Sequence, residues 1–319
     1  MHHIEIKRRM GEADIASISE LLHAAALADG HLPLGEHQWL DLVQGGREGF
    51  AGFVAKAGHH PHPVGYAQVS RGPNSWAVEF VIDPHHRDSD DNIGTDLLGA
   101  ALAEVARCGG GHVHLWVPKP TPSNDFIATA NGLVKGRDLH QMRRRLPIDA
   151  AGAPLATRQF VPGQDEAAWL KVNNRAFSSH PEQGGWDLTT LAHREQEPWF
   201  DPAGFLLLEQ GGRLAGFCWT KVHAESEPAI GEIYVIATDP DFAGLGLGRG
   251  LVEAGLTYLY EAGLKTAMLY VDADNARAHG LYARMGFVVD HIDRAYVGDV
   301  APAVSPPSPL RDPLTPNNS

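Results

Sequence analysis

Apolar and polar positions run through this chain in two similar successions, one in each half. Each half opens on a short strand pattern followed by a helical one, with apolar residues three and four apart: residues 4–6 then 14–27, and 157–160 then 165–177. Each continues with a hairpin-like pair of apolar runs, 52–57 with 64–70 and 204–209 with 214–222. A third run follows, 77–82 and 232–238, closed in both halves by Asp-Pro, at Asp83-Pro84 and Asp239-Pro240. A glycine-containing turn then leads into a helical pattern, 94–108 and 246–262, and a further strand pattern, 113–117 and 266–271. A short helix and a last strand close each half.

A repeat of this length predicts a duplicated domain, because each copy carries enough apolar surface for its own core. With 319 residues the expected division is a first domain over 1–148, a second over 155–298, and a tail over 299–319. The linker, residues 149–154, is small and turn-forming; the tail is rich in Pro and Ser and predicts disorder.

Charge narrows the partners. A formal net charge of -13 argues against a general nucleic-acid or anionic-membrane surface, since neutralising phosphates needs clustered Lys and Arg. No apolar run reaches the roughly 20 residues of a membrane span, and the first ten residues lack a signal-peptide core. A cytoplasmic monomer is expected. Cys108 and Cys218 lie far apart without a ligand partner pattern and read as reduced core thiols. The histidine clusters His59, His60, His62 and His85, His86 sit among turn residues without i, i+4 helical spacing, so no metal is expected.

The chemistry concentrates in the second half. After the apolar run 232–238 comes Asp241-Phe-Ala243-Gly244-Leu245-Gly246-Leu247-Gly248-Arg249-Gly250 and then a helix. Glycines at a helix start leave backbone N–H groups unobstructed beside the positive end of the helix dipole, a receptor for a pyrophosphate. A dinucleotide fold would place such a turn after its first strand; here it follows the fourth. Further on, Asn275-Ala-Arg-Ala278 and Tyr282-Ala-Arg-Met-Gly286-Phe287 complete a pattern that resembles the GNAT superfamily of acyl-CoA transferases.

That resemblance implies an α/β (α+β) fold of two tandem domains, each a mixed, mostly antiparallel sheet flanked by helices, with acetyl-CoA as cosubstrate. It implies that the glycine turn cradles the CoA pyrophosphate through Ala243, Gly244, Leu245, Gly246, Leu247, Gly248 and Arg249, with Asn275 nearby. It also implies that strands four and five of the domain splay, and that the backbone N–H groups of Ile236, Ala237 and Thr238 hold the thioester. The turn departs from the superfamily pattern at Ala243, where a Gln or Arg is usual, which removes charge but leaves the amides.

Acetyl transfer to an amine needs a base for the ammonium proton and an acid for the departing thiolate. Glu232 opens strand four and suits the first role. Tyr282 lies on the short helix where similar enzymes place the acid, and a phenol holds its proton at neutral pH. The plain alternatives are a strand-end carboxylate and a ring packed on Phe287.

Three further strings narrow the resemblance to one tandem-domain branch of the superfamily: 172–177, His180-Pro-Glu182-Gln-Gly-Gly-Trp186, and 216–223, with Gln141-Met-Arg-Arg144 closing the first half. Members of that branch acetylate the cysteine amine of a cysteinyl-glucosaminyl-inositol, the last step in making mycothiol. On that resemblance Glu36, Glu182, Lys221, Glu232 and Tyr270 contact substrate, and Glu36 implies that both domains line it. Acidic and amide groups suit a cation with many hydroxyls. The alternatives are another small amine or a protein N-terminus on the same fold, or a CoA-binding module without catalysis; retention of both Glu232 and Tyr282 disfavours the last.

The first half carries a weakened turn. After Phe80, Val81 and Ile82, the positions matching the thioester-binding strand, come His85-His86-Arg87-Asp88-Ser89-Asp90-Asp91-Asn92-Ile93-Gly94. Three aspartates stand where basic residues are usual, and carboxylates repel a pyrophosphate. This domain is expected to hold CoA weakly or not at all and not to catalyse.

Overall fold

The computed structural model describes residues 2–303 except 45–47, 59, 61, 73, 88–91, 149–153, 179–182 and 225, and except the side chains of residues 36 and 37. Its elements are β1 (His2–Lys7), α1 (Glu12–Asp29), α2 (Glu36–Gln44), β2 (Phe50–Ala57), β3 (Gly65–Arg71), β4 (Trp76–Ile82), α3 (Ile93–Arg107), β5 (Gly111–Pro118), α4 (Pro122–Ala130) and β6 (Val134–Arg145). There follow β7 (Arg158–Gln159), α5 (Glu166–Ala176), α6 (Leu188–Glu195), β8 (Phe205–Gln210), β9 (Arg213–His223), β10 (Ile230–Thr238), α7 (Leu247–Glu261), β11 (Thr266–Asp272), α8 (Ala276–Arg284) and β12 (Val288–Val300). Mixed, mostly antiparallel sheets flanked by helices are thus present in both halves, as the sequence implied. Helices α2 and α6 were not expected.

The chain forms two compact units: residues 1–137 with the segment from Asp293 onward, and residues 138–292. In the first, β1 to β4 form an antiparallel meander and β4 runs parallel to β5 through Trp76↔Val113, Ala77↔His114 and Val78↔Leu115. Its sixth strand is the far end of the chain, residues 293–300 of β12, antiparallel to β5. Arg294 and Tyr296 on that strand both donate to Asp125 of α4, at 3.1 and 2.7 Å.

In the second unit β7 to β10 form the meander, β10 runs parallel to β11, and β11 pairs antiparallel with residues 139–145 of β6. The units therefore differ from the expected break at residue 148: residues 138–145 lie with the second half and 293–300 with the first. The physical reason is that β5 and β11 each have a side left open by the parallel pair, and buried backbone groups there need a ladder partner. The strand ending at Val300 also runs two residues past the expected domain end at residue 298.

Each unit has two apolar layers, one on each face of its sheet. In the second unit, α7 covers one face through Leu247, Leu251, Leu256 and Leu259, three to five residues apart and so about one turn from each to the next. Gly255 lets the helix approach closely: a Cβ there would sit 2.5 Å from Cys218 Sγ and 2.7 Å from Ile233 Cδ1. The other face is aromatic. Trp169 of α5 is fully buried among Phe205, Phe217 and Trp219, with ring centres 5.3–5.7 Å apart. Such rings remove large apolar areas from water, each worth about 1.5–3 kcal/mol before its ordering cost. A rigid layer on this face fixes β9 and β10, which carry the polar residues described next.

Candidate active site

Glu232 lies in the second unit on β10, where it pairs across to Lys221 on β9 and in parallel to Met268 on β11. Directly paired residues project to one face, as do residues two apart, so Glu232, Lys221 and Tyr270 share the aromatic face. Glu232 is 7% exposed. Its Oε2 lies 2.7 Å from Nε2 of His223, two residues beyond Lys221 on β9. Burying a carboxylate is costly unless it is hydrogen-bonded, and His223 supplies the contact.

Lys221 does not pair with Glu232. Its Nζ lies 4.5 Å from the centre of the Trp199 ring and 5.9 Å from that of Tyr234. Those rings pack at 5.0 Å, nearly edge to face, and both also touch Trp219. Burial raises the Tyr234 phenol above its ordinary value; the charge of Arg194 opposes the shift and those of Glu232 and Glu197 add to it.

One residue beyond the last β10–β11 pair the sheet opens. The parallel ladder covers only residues 231–233 of β10, and a register shift between Ile233 and Val235 leaves Tyr234 as an extra residue against β9. A bulge of this kind bends a strand and ends its pairing. Ile236, Ala237 and Thr238 stay paired to β9 through Cys218, Phe217 and Gly216 but have no partner on the β11 side. The expected splay is present, and it begins two residues after Glu232.

The glycine turn lies just beyond. Gly244 and Gly246 take φ of +84° and +74°, a left-handed backbone that side chains other than Asn and Asp rarely tolerate. Gly246 caps α7, so the N–H groups at the start of that helix lack intrahelical partners and point outward. Leu245 is exposed, and Arg249 is tied along its own helix to Glu253 at 2.9 Å. The acidic residues before the turn are neutralised: Arg175 contacts Asp239 and Asp241, and Arg213 contacts Asp241. The hydrogen bonds from Arg175 and Arg213 hold the Asp241 carboxyl down at about 2. The cradle is therefore built of backbone amides, with little free negative charge beside it, and fits a pyrophosphate despite Ala243.

Tyr282 on α8 is 7% exposed and packs on Phe287 at 5.8 Å. Burial pushes its phenol up to about 12. The ring is thus a core residue that keeps its proton, so the two readings made of it are compatible. Asn275 caps α8, its Oδ1 accepting from the Ala278 N–H at 3.1 Å. Tyr270 is exposed, and its hydroxyl accepts from Gln141 Nε2 at 2.7 Å, while Gln141 Oε1 accepts from Arg143 Nε at 2.7 Å. Glu182 lies outside the described residues. Glu36 opens α2, and its side chain is not among those described.

In the first unit, Phe80, Val81 and Ile82 line a cleft of about 590 Å³ with Trp116, Lys119 and Glu79. The cleft opens where the β4–β5 ladder stops at Val78, as in the second unit, but β4 pairs with β3 without a register shift. Glu79 is half-buried on its wall, and desolvation pushes the carboxyl up to about 8. Arg87 is held by Asp29 at 2.5 and 2.8 Å. Residues 88–91, with three of the segment's acidic groups, lie outside the described ones.

Sequence reasoning did not single out His223 or Trp199. His223 stood at the end of a quoted string, but nothing in its spacing marked it as a partner of Glu232.

Residues 169–287 match the Acetyltransferase (GNAT) family. Over 286 residues the chain is 46% identical to the mycothiol acetyltransferase of Acidimicrobium ferrooxidans, covering 88% of this chain and 92% of that protein. The chain belongs to the mycothiol acetyltransferase family. The relative from Thermobispora bispora is 42% identical over 300 residues, covering 92% and 98%. Among solved structures, a GCN5-related N-acetyltransferase from Sphaerobacter thermophilus superposes with a TM-score of 0.74 at 23% identity, covering 94% of this chain and 97% of that one. A tandem GNAT protein from the clavulanic acid pathway superposes with a TM-score of 0.67 at 16% identity, covering 95% and 100%. Those two likenesses bear on the fold, which is that of tandem GNAT domains.

Proposed function

We propose that this protein transfers the acetyl group of acetyl-CoA to the cysteine amine of cysteinyl-glucosaminyl-inositol, completing mycothiol. The observation that carries the reading is a buried carboxylate, Glu232, two residues before a splayed strand edge and a glycine-capped helix start. The relatives' shared name supports the choice of amine.

Each residue has a task in that chemistry. The amine arrives as an ammonium and is no nucleophile until a proton leaves. Glu232 takes that proton, directly or through a water. The nitrogen lone pair then attacks the thioester carbon, and negative charge builds on its oxygen. Backbone N–H groups along residues 236–238 on the open edge of β10 stabilise that charge. The C–S bond breaks as the C–N bond is retained, Tyr282 protonates the departing thiolate, and the excess proton still on the nitrogen leaves through water to restore the phenol. Amides of residues 243–249 hold the pyrophosphate at the α7 start. Lys221 and Tyr270, on the same sheet face as Glu232, contact the sugar, inositol and cysteinyl groups.

The first unit holds CoA weakly or not at all and does not catalyse. Glu79 lines its Phe80–Ile82 cleft, and the sequence that follows carries Asp88, Asp90 and Asp91. The test of the whole reading is CoA release with cysteinyl-glucosaminyl-inositol against a panel of simple amines. Selectivity of at least about 100-fold is expected, since unmet polar groups in a specific site cost a wrong substrate that much. Equal rates with simple amines would overturn the choice of substrate.

A further inference from the structure

We infer that His223 is a positioning residue for Glu232, holding one carboxylate oxygen so that the other is presented to the substrate amine. The inference rests on the proposed role of Glu232 as base.

The geometry is specific. His223 Nε2 lies 2.7 Å from Glu232 Oε2, and the side chains of both are mostly shielded, at 17% and 9% exposure. The two residues are not direct cross-strand partners: His223 pairs with Ile230 and Glu232 with Lys221. The imidazole therefore reaches diagonally to the carboxylate, a span within range of long side chains on one sheet face. The direct partner, Lys221, is held over Trp199 instead. A glutamate has three side-chain torsions, and an unrestrained carboxylate samples many orientations. The bond from His223 fixes one oxygen, and the bulge at Tyr234 begins two residues on, where the attacked carbon would lie.

The remaining neighbours do not offer a substitute. β11 presents Met268 at the paired position. The buried residues of α5 are Trp169, Val172 and Asn173, none titratable, and those of α7 are aliphatic or glycine. Among the described residues the charged or titratable groups around this face include Lys221, Tyr234, Tyr270, Arg143, Arg194 and Glu197; Lys221 rests on rings, Tyr270 and Arg143 engage Gln141, and Arg194 bonds Glu197 at 3.4 Å. Among the described residues, His223 is the group that hydrogen-bonds Glu232.

A donor on a carboxylate favours its charged form, which is the form that accepts a proton. Loss of His223 therefore has two consequences. The base is worse oriented, so kcat falls, and it is protonated more readily, so the acid limb of kcat/KM moves to higher pH. Binding of acetyl-CoA at the amide cradle is untouched.

The test uses the full chain with acetyl-CoA and cysteinyl-glucosaminyl-inositol, following CoA release against pH. His223→Phe is expected to lower kcat about 10-fold, as one lost orienting contact at a general base does, and to move the acid limb of the profile. KM for acetyl-CoA stays within about twofold. His223→Gln, whose amide N–H reaches as far as Nε2, restores kcat to within about threefold and returns the limb. His223→Asn, equally polar but shorter, behaves like His223→Phe and serves in its place if the phenylalanine variant does not fold. An unmoved limb with unchanged kcat overturns the inference. So does equal impairment of the Gln and Asn variants, which would mark a merely structural role. Glu232→Gln separates the two layers: if it keeps full activity, the base assignment itself fails, whereas its loss beside an unaltered His223→Phe sinks only the positioning role.

Discussion

Lys221 is the cross-strand partner of Glu232, yet its ammonium lies over the ring of Trp199, 4.5 Å from the ring centre. Adjacent opposite charges on one sheet face would normally pair. Here the face of an indole holds the cation, and the carboxylate is left to His223 and to substrate. Replacing Trp199 with Leu releases Lys221 to approach Glu232 and compete with the substrate ammonium. A cation–π contact of this kind is worth about 0.5–2 kcal/mol, so KM for the amine should rise about 2- to 30-fold with a smaller change in KM for acetyl-CoA. Steady-state kinetics in both substrates decides this, and a selective rise in KM for acetyl-CoA would count against it.

Glu232→Gln keeps the size of the side chain and removes the base. A general base contributes about 10²–10⁴-fold, so kcat is expected to fall within that range while acetyl-CoA still binds. Calorimetry with CoA and single-turnover acetylation separate the two. Retention of full kcat across neutral pH would be the contrary result.

Tyr282 has its phenol pushed up to about 12 by burial. A general acid acts in its protonated form, which for this group persists as pH rises until that value is approached. The alkaline side of the rate profile should therefore carry no limb from Tyr282 below about pH 11. Tyr282→Phe should lower kcat while leaving the melting temperature nearly unchanged, because the ring still packs on Phe287. Tyr282→Ala, by contrast, should cost about 3–5 kcal/mol through the cavity it leaves. Thermal melts beside kinetics distinguish these outcomes.

Glu79 in the first unit is a carboxyl whose value is raised to about 8. In the unfolded chain it titrates near 4.3, so between the two values the folded protein binds the extra proton. Stability contributed by this group is present below the unfolded value and is lost as pH rises toward 8. Glu79→Gln should therefore match the wild type near pH 4 and be more stable at pH 8, measured by urea unfolding. Calorimetry on the full chain should show one tight CoA site, and a second of micromolar affinity would overturn the reading of the first unit.

Much of the candidate site was legible along the chain because its parts are local. Glycines at a helix start, an Asp-Pro strand end and a capping Asn each set their local backbone within a few residues. The duplication was legible for the same reason, since strand and helix periodicities are properties of short windows. The parallel ladder's early stop at Ile233 was anticipated from the superfamily pattern, but the extra residue that accompanies it, Tyr234, was not. A register shift is defined by two strands at once, and β9 and β10 look unremarkable separately.

The sequence by itself determined the duplicated α/β plan, the glycine turn over residues 243–249 that opens a helix, and the presence of a carboxylate and a phenol in a chain of this family. Tertiary structure alone decided which groups meet. Residues 139–145 join a ladder with β11, more than 120 positions away, because an open strand side must be hydrogen-bonded and no nearby segment remains to do it. Glu232 meets His223 and not Lys221 because an aromatic layer, gathered from α5, β8, β9 and the segment after α6, takes the lysine first. Such choices depend on competing contacts between distant segments, and those exist only once the sheet has formed.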